Sequence, residues 1–183
     1  MSVWMLLEPK EQLLAELFRH VDHPDFVPLF DSTELAVYAE FSPLLVADDS
    51  AQTLSQLVRQ APTDWPGLLI ESEHSRDALL AHLRHLLIVR FEQTRRGMLH
   101  YWNPKVAGPI FSACTHENLA DWLGPISRLQ WHSTSDTNWQ TLDNPTAASW
   151  LPIATKPLLS ISLEQSQALE QTLSPLMPNG QES

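Results

Sequence analysis

Short, dense apolar runs alternate along this chain with segments whose apolar residues recur at helical spacing. That alternation restricts the fold to sheets with helices packed on them. Residues 3–7 form a compact apolar run closed by Pro9, the pattern of a buried strand. Leu13, Leu14, Leu17, Phe18 and Val21 then recur at helical spacing and predict an amphipathic helix over residues 10–21. Pro24 breaks that segment, because a proline ring disfavours helical geometry at the residue before it. Leu44–Ala47 reads as a second strand, and Asp48-Asp49-Ser50 leads into a helix over about 51–60 with Leu54, Leu57 and Val58 on its apolar side. Pro62, Pro66 and Gly67 punctuate the chain before a strand at 68–70.

The second half continues the pattern. Ser75 is placed to cap a helix, with Asp77 in the first turn, where the helix dipole favours a carboxylate. Leu79, Leu80, Leu83, Leu86 and Leu87 form its stripe. A strand over 87–91, a polar turn over 93–97 and a return strand over 98–102 predict an antiparallel hairpin. Pro104 begins a short helix; Thr115 caps another, which Gly124 closes in the left-handed conformation that glycine adopts at little cost. Strands are predicted at 126–131 and 139–142, around a polar loop. Ser162 and Gln165 have capping-box spacing and predict a final helix over about 163–173, packed on the domain rather than part of its sheet. The expected fold is therefore α/β (α+β): a mixed β-sheet with packed helices and a C-terminal helix. Residues 1–143 are expected to form the α/β domain. Residues 144–174, with Pro145, Pro152 and Pro157, form an interrupted connection and the C-terminal helix, and 175–183 a flexible tail.

Composition narrows the function. A formal charge of −11 opposes nucleic acid and anionic membranes, whose phosphates repel such a surface. Only 11 Lys and Arg residues are present, and they are scattered. Cys114 is the sole cysteine, so no internal disulfide can form, which suits a reducing compartment. No basic segment followed by a long apolar run opens the sequence, and no run reaches the roughly 18–20 apolar residues of a membrane span. The expectation is a soluble cytoplasmic domain with neither a nucleic-acid nor a membrane partner.

Candidate chemistry is sparse. His82 and His85 share a helix face, but the His-Glu-x-x-His arrangement of a zincin is missing, with Leu83 beside His82 where the glutamate would stand. Cys114 precedes a predicted helix near His116, a setting that could lower a thiol pKa, set against the reading of a small packed residue. There is no Gly-x-Ser-x-Gly elbow and, with five glycines, no phosphate-cradling loop. No catalytic residue, metal or cofactor is expected. Arg84 interrupts an apolar helix, so its guanidinium either reaches water or finds a carboxylate or carbonyl. Seven tryptophans are many for this length, and tryptophan serves both cores and binding hot spots. Trp102, Trp122 and Trp131 read as core; Trp139 and Trp150, in polar, proline-bearing surroundings, read as exposed anchors.

Six short segments occur in a telling order: residues 3–7, Pro28-Leu29-Phe30-Asp31-Ser32-Thr33, Phe41-Ser42-Pro43-Leu44-Leu45-Val46, His82-Leu83-Arg84, Tyr101-Trp102-Asn103-Pro104-Lys105-Val106 and Trp122-Leu123-Gly124-Pro125-Ile126. Together, over residues 3–131, they resemble the adaptor (chaperone) domains of bacterial type VI secretion, which load toxic effectors onto the secretion spike. The resemblance implies a non-enzymatic adaptor. Its implied partners are an effector's N-terminal region and a valine-glycine-repeat or proline-alanine-alanine-arginine-repeat (PAAR) spike-tip protein. The motif residues carried over are His82, Arg84, Tyr101, Trp102, Asn103 and Lys105. The family's Asp-Pro-Arg turn reads Asn103-Pro104-Lys105 here, so a charge pair through that aspartate is impossible and Asn103 offers a neutral amide. Many relatives carry a further helical lobe, so a short, single-lobe member is expected. The alternatives are an immunity protein that neutralises a toxin and a small hydrolase or metal-dependent enzyme using His82, His85 or Cys114.

Overall fold

In the computed structural model residues 1–49, 51–92, 94–133, 135, 137–152 and 157–174 are described. Strand β1 (Ser2–Leu7) is the centre of the main sheet, paired antiparallel with β3 (Leu44–Ala47) on one side and β4 (Gly67–Ser72) on the other. Residues 4–7 are buried on both faces, which is why they read as a continuous apolar run rather than an alternating one. The three-residue β2 (Phe26–Pro28) adds outside β3, while β7 (Ile126–His132) and β8 (Trp139–Asp143) extend the far side, giving the order β2-β3-β1-β4-β7-β8. A separate hairpin joins β5 (Ile88–Phe91) to β6 (Arg95–Met98). All pairings within the two sheets are antiparallel, and the described parallel contact is an isolated bridge between Arg90 and Ser160. The α+β class expected from the sequence is the class observed, but the main sheet is antiparallel throughout rather than mixed.

Successive strand residues point to opposite faces, and both faces are covered. Met5 and Leu7 pack with Leu13 and Leu17 of α1 (Leu13–His20) and with Leu54 and Val58 of α2 (Thr53–Gln60). Trp4 and Leu6 belong to the larger core on the other face. That core takes Leu83 from α3 (Arg76–His85), Ile110 and Phe111 from α4 (Pro104–Ser112) and Trp122 from α5 (Leu119–Leu123). Burying one such leucine or phenylalanine contributes about 1.5–3 kcal/mol, so the two apolar layers are the main stabilising term.

The helix caps follow the sequence closely in two places. Ser75 Oγ accepts from the Ala78 amide at 3.3 Å. In α6 (Leu163–Leu173), Ser162 and Gln165 cap each other reciprocally as the spacing predicted. Gln165 is fully buried and its Nε2 donates to the Ile110 carbonyl at 3.0 Å, fastening α6 to α4. Just before this helix, Arg90 donates to Leu159 at 2.8 Å and accepts from Ile161 at 2.9 Å, so the irregular connection ends by adding to the β5 strand. The expected tail, 175–183, lies outside the described residues.

Three expectations are corrected. The return strand of the hairpin is Arg95–Met98, not 98–102, because Glu92 adopts a φ of 49° and reverses the chain early. Residues 101–102 instead turn inward, ahead of α4. Helix α5 starts at Leu119 after Asn118; Thr115 donates its amide to Asn118 Oδ1 at 2.8 Å instead of capping. Helix α1 starts at Leu13, since Gln12 sits at φ 64° and is not helical. Gly124 takes a positive φ, 53°, but its ψ of −118° is not that of the left-handed helical conformation expected. Strand β2 and a 3-10 helix over Ala36–Phe41 were not anticipated.

Candidate partner-binding face

The His-Leu-Arg triplet lies in the last turn of α3, where helical carbonyls lack intrahelical partners. Each of its residues fastens a different segment. His82 is 2% exposed and its Nε2 lies 3.0 Å from the Trp122 carbonyl; a carbonyl only accepts, so that nitrogen carries the hydrogen. The Leu83 carbonyl accepts from the Tyr101 hydroxyl at 2.7 Å. Arg84 Nε donates to the Leu29 carbonyl at 3.1 Å, the carbonyl outcome among the alternatives for this guanidinium. Three of the motifs recognised in sequence are thus tied to consecutive residues of the fourth. Burial pushes the Tyr101 phenol well above its ordinary pKa. Trp102 is also interior, edge-on to Phe30 at 5.7 Å and stacked on His100 at 4.9 Å. His82, Tyr101 and Trp102 are therefore scaffold, not contact surface.

The rest of the turn motif reaches a cleft. Asn103 Oδ1 accepts from the Lys105 amide at 2.9 Å and caps α4, while its Nδ2 donates to Glu8 Oε1 at 2.8 Å. Glu8, Asn103, Lys105, Trp65, His132 and Trp139 line a cavity of about 270 Å³. It lies at the end of the sheet where Leu7, Leu44 and Gly67 stand level in register. Three residues singled out from the sequence, Asn103, Lys105 and Trp139, converge here from two distant segments. Trp139 is half-buried rather than fully exposed: its Nε1 donates to the Arg59 carbonyl at 3.4 Å and the Arg59 guanidinium lies 5.7 Å from its ring. Lys105 is exposed at the rim.

Glu8 was missed by sequence reasoning; its only signal was a charge placed directly after a buried strand. Desolvation is the main influence on it and raises its carboxyl pKa, against lowering by the Asn103 hydrogen bond and the charges of His100 and Lys105. Because the folded protein holds this proton more tightly than the unfolded chain does, Glu8 costs stability as pH rises from the ordinary carboxylate value through the raised one. Glu8→Gln keeps an acceptor for Asn103 and removes the charge. The variant is therefore expected to melt no lower than the wild type at pH 7, with the gap closing below about pH 4. Paired thermal melts at the two pH values check this; a variant much less stable at pH 7 would show the carboxylate to be stabilising.

A second feature occupies the same end of the sheet. The 3-10 helix Ala36–Phe41 ends three residues before Leu44 and exposes Val37 (82%), Tyr38 (54%) and Phe41 (60%). It is braced, not loose. The Phe30 amide donates to Ser42 Oγ at 3.0 Å, Thr33 Oγ1 donates to the Phe30 carbonyl at 2.6 Å, and Glu34 pairs with Arg96. Arg84 supports the base of this loop through Leu29. These three apolar side chains are thus exposed on a segment that is held in place.

Elsewhere, Trp150 is half-buried, with its ring edge-on to His74 at 5.4 Å and His82 at 6.0 Å, remote in role from the cleft. Burial pushes the Cys114 thiol up to about 12, so the nucleophilic thiolate is scarce at neutral pH. Among the described residues no group of three or more His, Cys, Asp or Glu is arranged to hold a metal ion, and no helix is long and apolar enough to cross a membrane.

A family model described as a domain of unknown function (DUF4123) matches residues 3–121. The chain belongs to that family. The match spans all of α1 to α4 and ends within α5, and so contains the triplet, the cleft turn and the 3-10 helix. No curated protein and no solved structure matches the chain.

Proposed function

We propose that this protein is a non-enzymatic adaptor of type VI secretion, binding an effector in the cytoplasm and presenting it to the spike tip. The observation that carries the reading is the exposed apolar 3-10 helix, braced by the very motifs that resemble the adaptor family. Val37, Tyr38 and Phe41 supply the apolar anchors expected of a binding hot spot. The charge of −11 adds selectivity for a partner with a basic face and speeds encounter with it. The effector's N-terminal region is the first partner; a valine-glycine-repeat or PAAR-repeat spike protein is the second.

The test is co-expression of the chain with candidate toxin and spike proteins from its own source, singly and together, followed by affinity purification. The expected result is a stable toxin complex in which the toxin is more soluble, and recruitment of the spike protein. Capture of neither partner overturns the adaptor reading. Capture of the toxin with loss of its activity and no spike binding makes the protein an immunity factor instead.

A further inference from the structure

The cleft beside α4 has a chemistry of its own. Its lining includes a half-buried carboxylate, Glu8, one oxygen of which is taken by the Asn103 amide. Among the described residues no hydrogen bond or ion pair reaches the other oxygen, and Lys105 acts on Glu8 through its charge only. The walls are the indoles of Trp65 and Trp139 with Pro62, Pro66 and Pro104. Both indoles already attract cations from this chain: the Lys10 ammonium lies 5.0 Å from the Trp65 ring and Arg59 lies 5.7 Å from that of Trp139. A desolvated carboxylate is a poor choice for stability alone, since a neutral amide would satisfy Asn103 without it.

We infer that this cleft receives an arginine side chain from a partner protein, its guanidinium bonded to the open oxygen of Glu8 between the indole walls. A guanidinium fits better than an ammonium, because it is flat, more weakly hydrated and able to stack on an aromatic face while donating to a carboxylate. An anionic group is disfavoured by Glu8 itself, even with Lys105 at the rim. The volume of about 270 Å³ suits one side chain rather than a folded element. The inference deepens the adaptor reading by naming the group recognised, and its test uses no effector, so the two can fail separately.

The experiment is a titration of the full-length, ¹⁵N-labelled chain with N-acetyl-arginine amide, followed at the indole N–H signals, which are assigned with Trp65→Phe and Trp139→Phe. N-acetyl-citrulline amide, of the same shape without charge, and N-acetyl-glutamate amide serve as comparisons. The expected result is a saturable shift at the Trp139 indole with the arginine probe and none with citrulline. Affinity should fall about tenfold or more in Glu8→Gln and rise in Lys105→Ala, where a repelling charge is gone. Equal response to citrulline, or silence with all three probes, overturns the inference. So does a stronger response to glutamate that disappears in Lys105→Ala, which would make the cleft an anion site.

Discussion

Gly124→Ala is expected to lower the stability of this protein by about 3 kcal/mol or more, as two penalties combine. At φ 53° an L side chain is strained wherever it points. A Cβ there would also stand 2.5 Å from His82 Cε1 and Nδ1. The ring cannot swing away cheaply, since it is 2% exposed and bonded to the Trp122 carbonyl. A loss of that size is a large share of the roughly 5–15 kcal/mol that holds an ordinary domain together. A double-mutant cycle separates the two penalties: adding His82→Ala relieves the steric one and leaves the backbone one. Chemical denaturation of the four proteins measures it. A Gly124→Ala variant within experimental error of wild type would mean that the His82 ring and the turn are not packed as described.

The second large effect concerns binding. The triple variant Val37→Ser/Tyr38→Ser/Phe41→Ser should weaken effector capture by about a hundredfold or more, if only two of the three act as hot spots of moderate strength. Its melting temperature should hardly change, because these side chains are 54–82% exposed and contribute little to the core. That contrast is what makes the result informative. Unchanged capture, measured by calorimetry or biolayer interferometry, would move the contact surface elsewhere on the fold.

Much of this architecture was legible in the sequence because its central elements carry strong, redundant signals. The β1, β3 and β4 runs are apolar on both faces; the α3 stripe and the α6 capping box are local patterns that tertiary packing did not override. The misreadings lie where packing supplies no such pattern. Strand β2 is three residues long and ends in proline, and β6 is largely exposed with two arginines, so neither looks like a strand. The 3-10 helix shows no buried residue and hence no periodic stripe. Asn103 and Lys105 were singled out by motif, yet their neighbour Glu8 is 95 residues from Asn103, and no local pattern joins them. His82, Leu83 and Arg84 were recognisable as a unit, but only the fold reveals that each residue of the unit holds a different turn or helix.

That triplet also governs how the molecule can loosen. Residues 82, 83 and 84 hold partners at 122, 101 and 29, so one turn of helix stitches together segments spread over half the chain. Unwinding that turn would release the glycine turn, the approach to the cleft and the base of the apolar loop in a single event. Loosening of the end of α3 is therefore expected to reach the apolar loop and the cleft turn together.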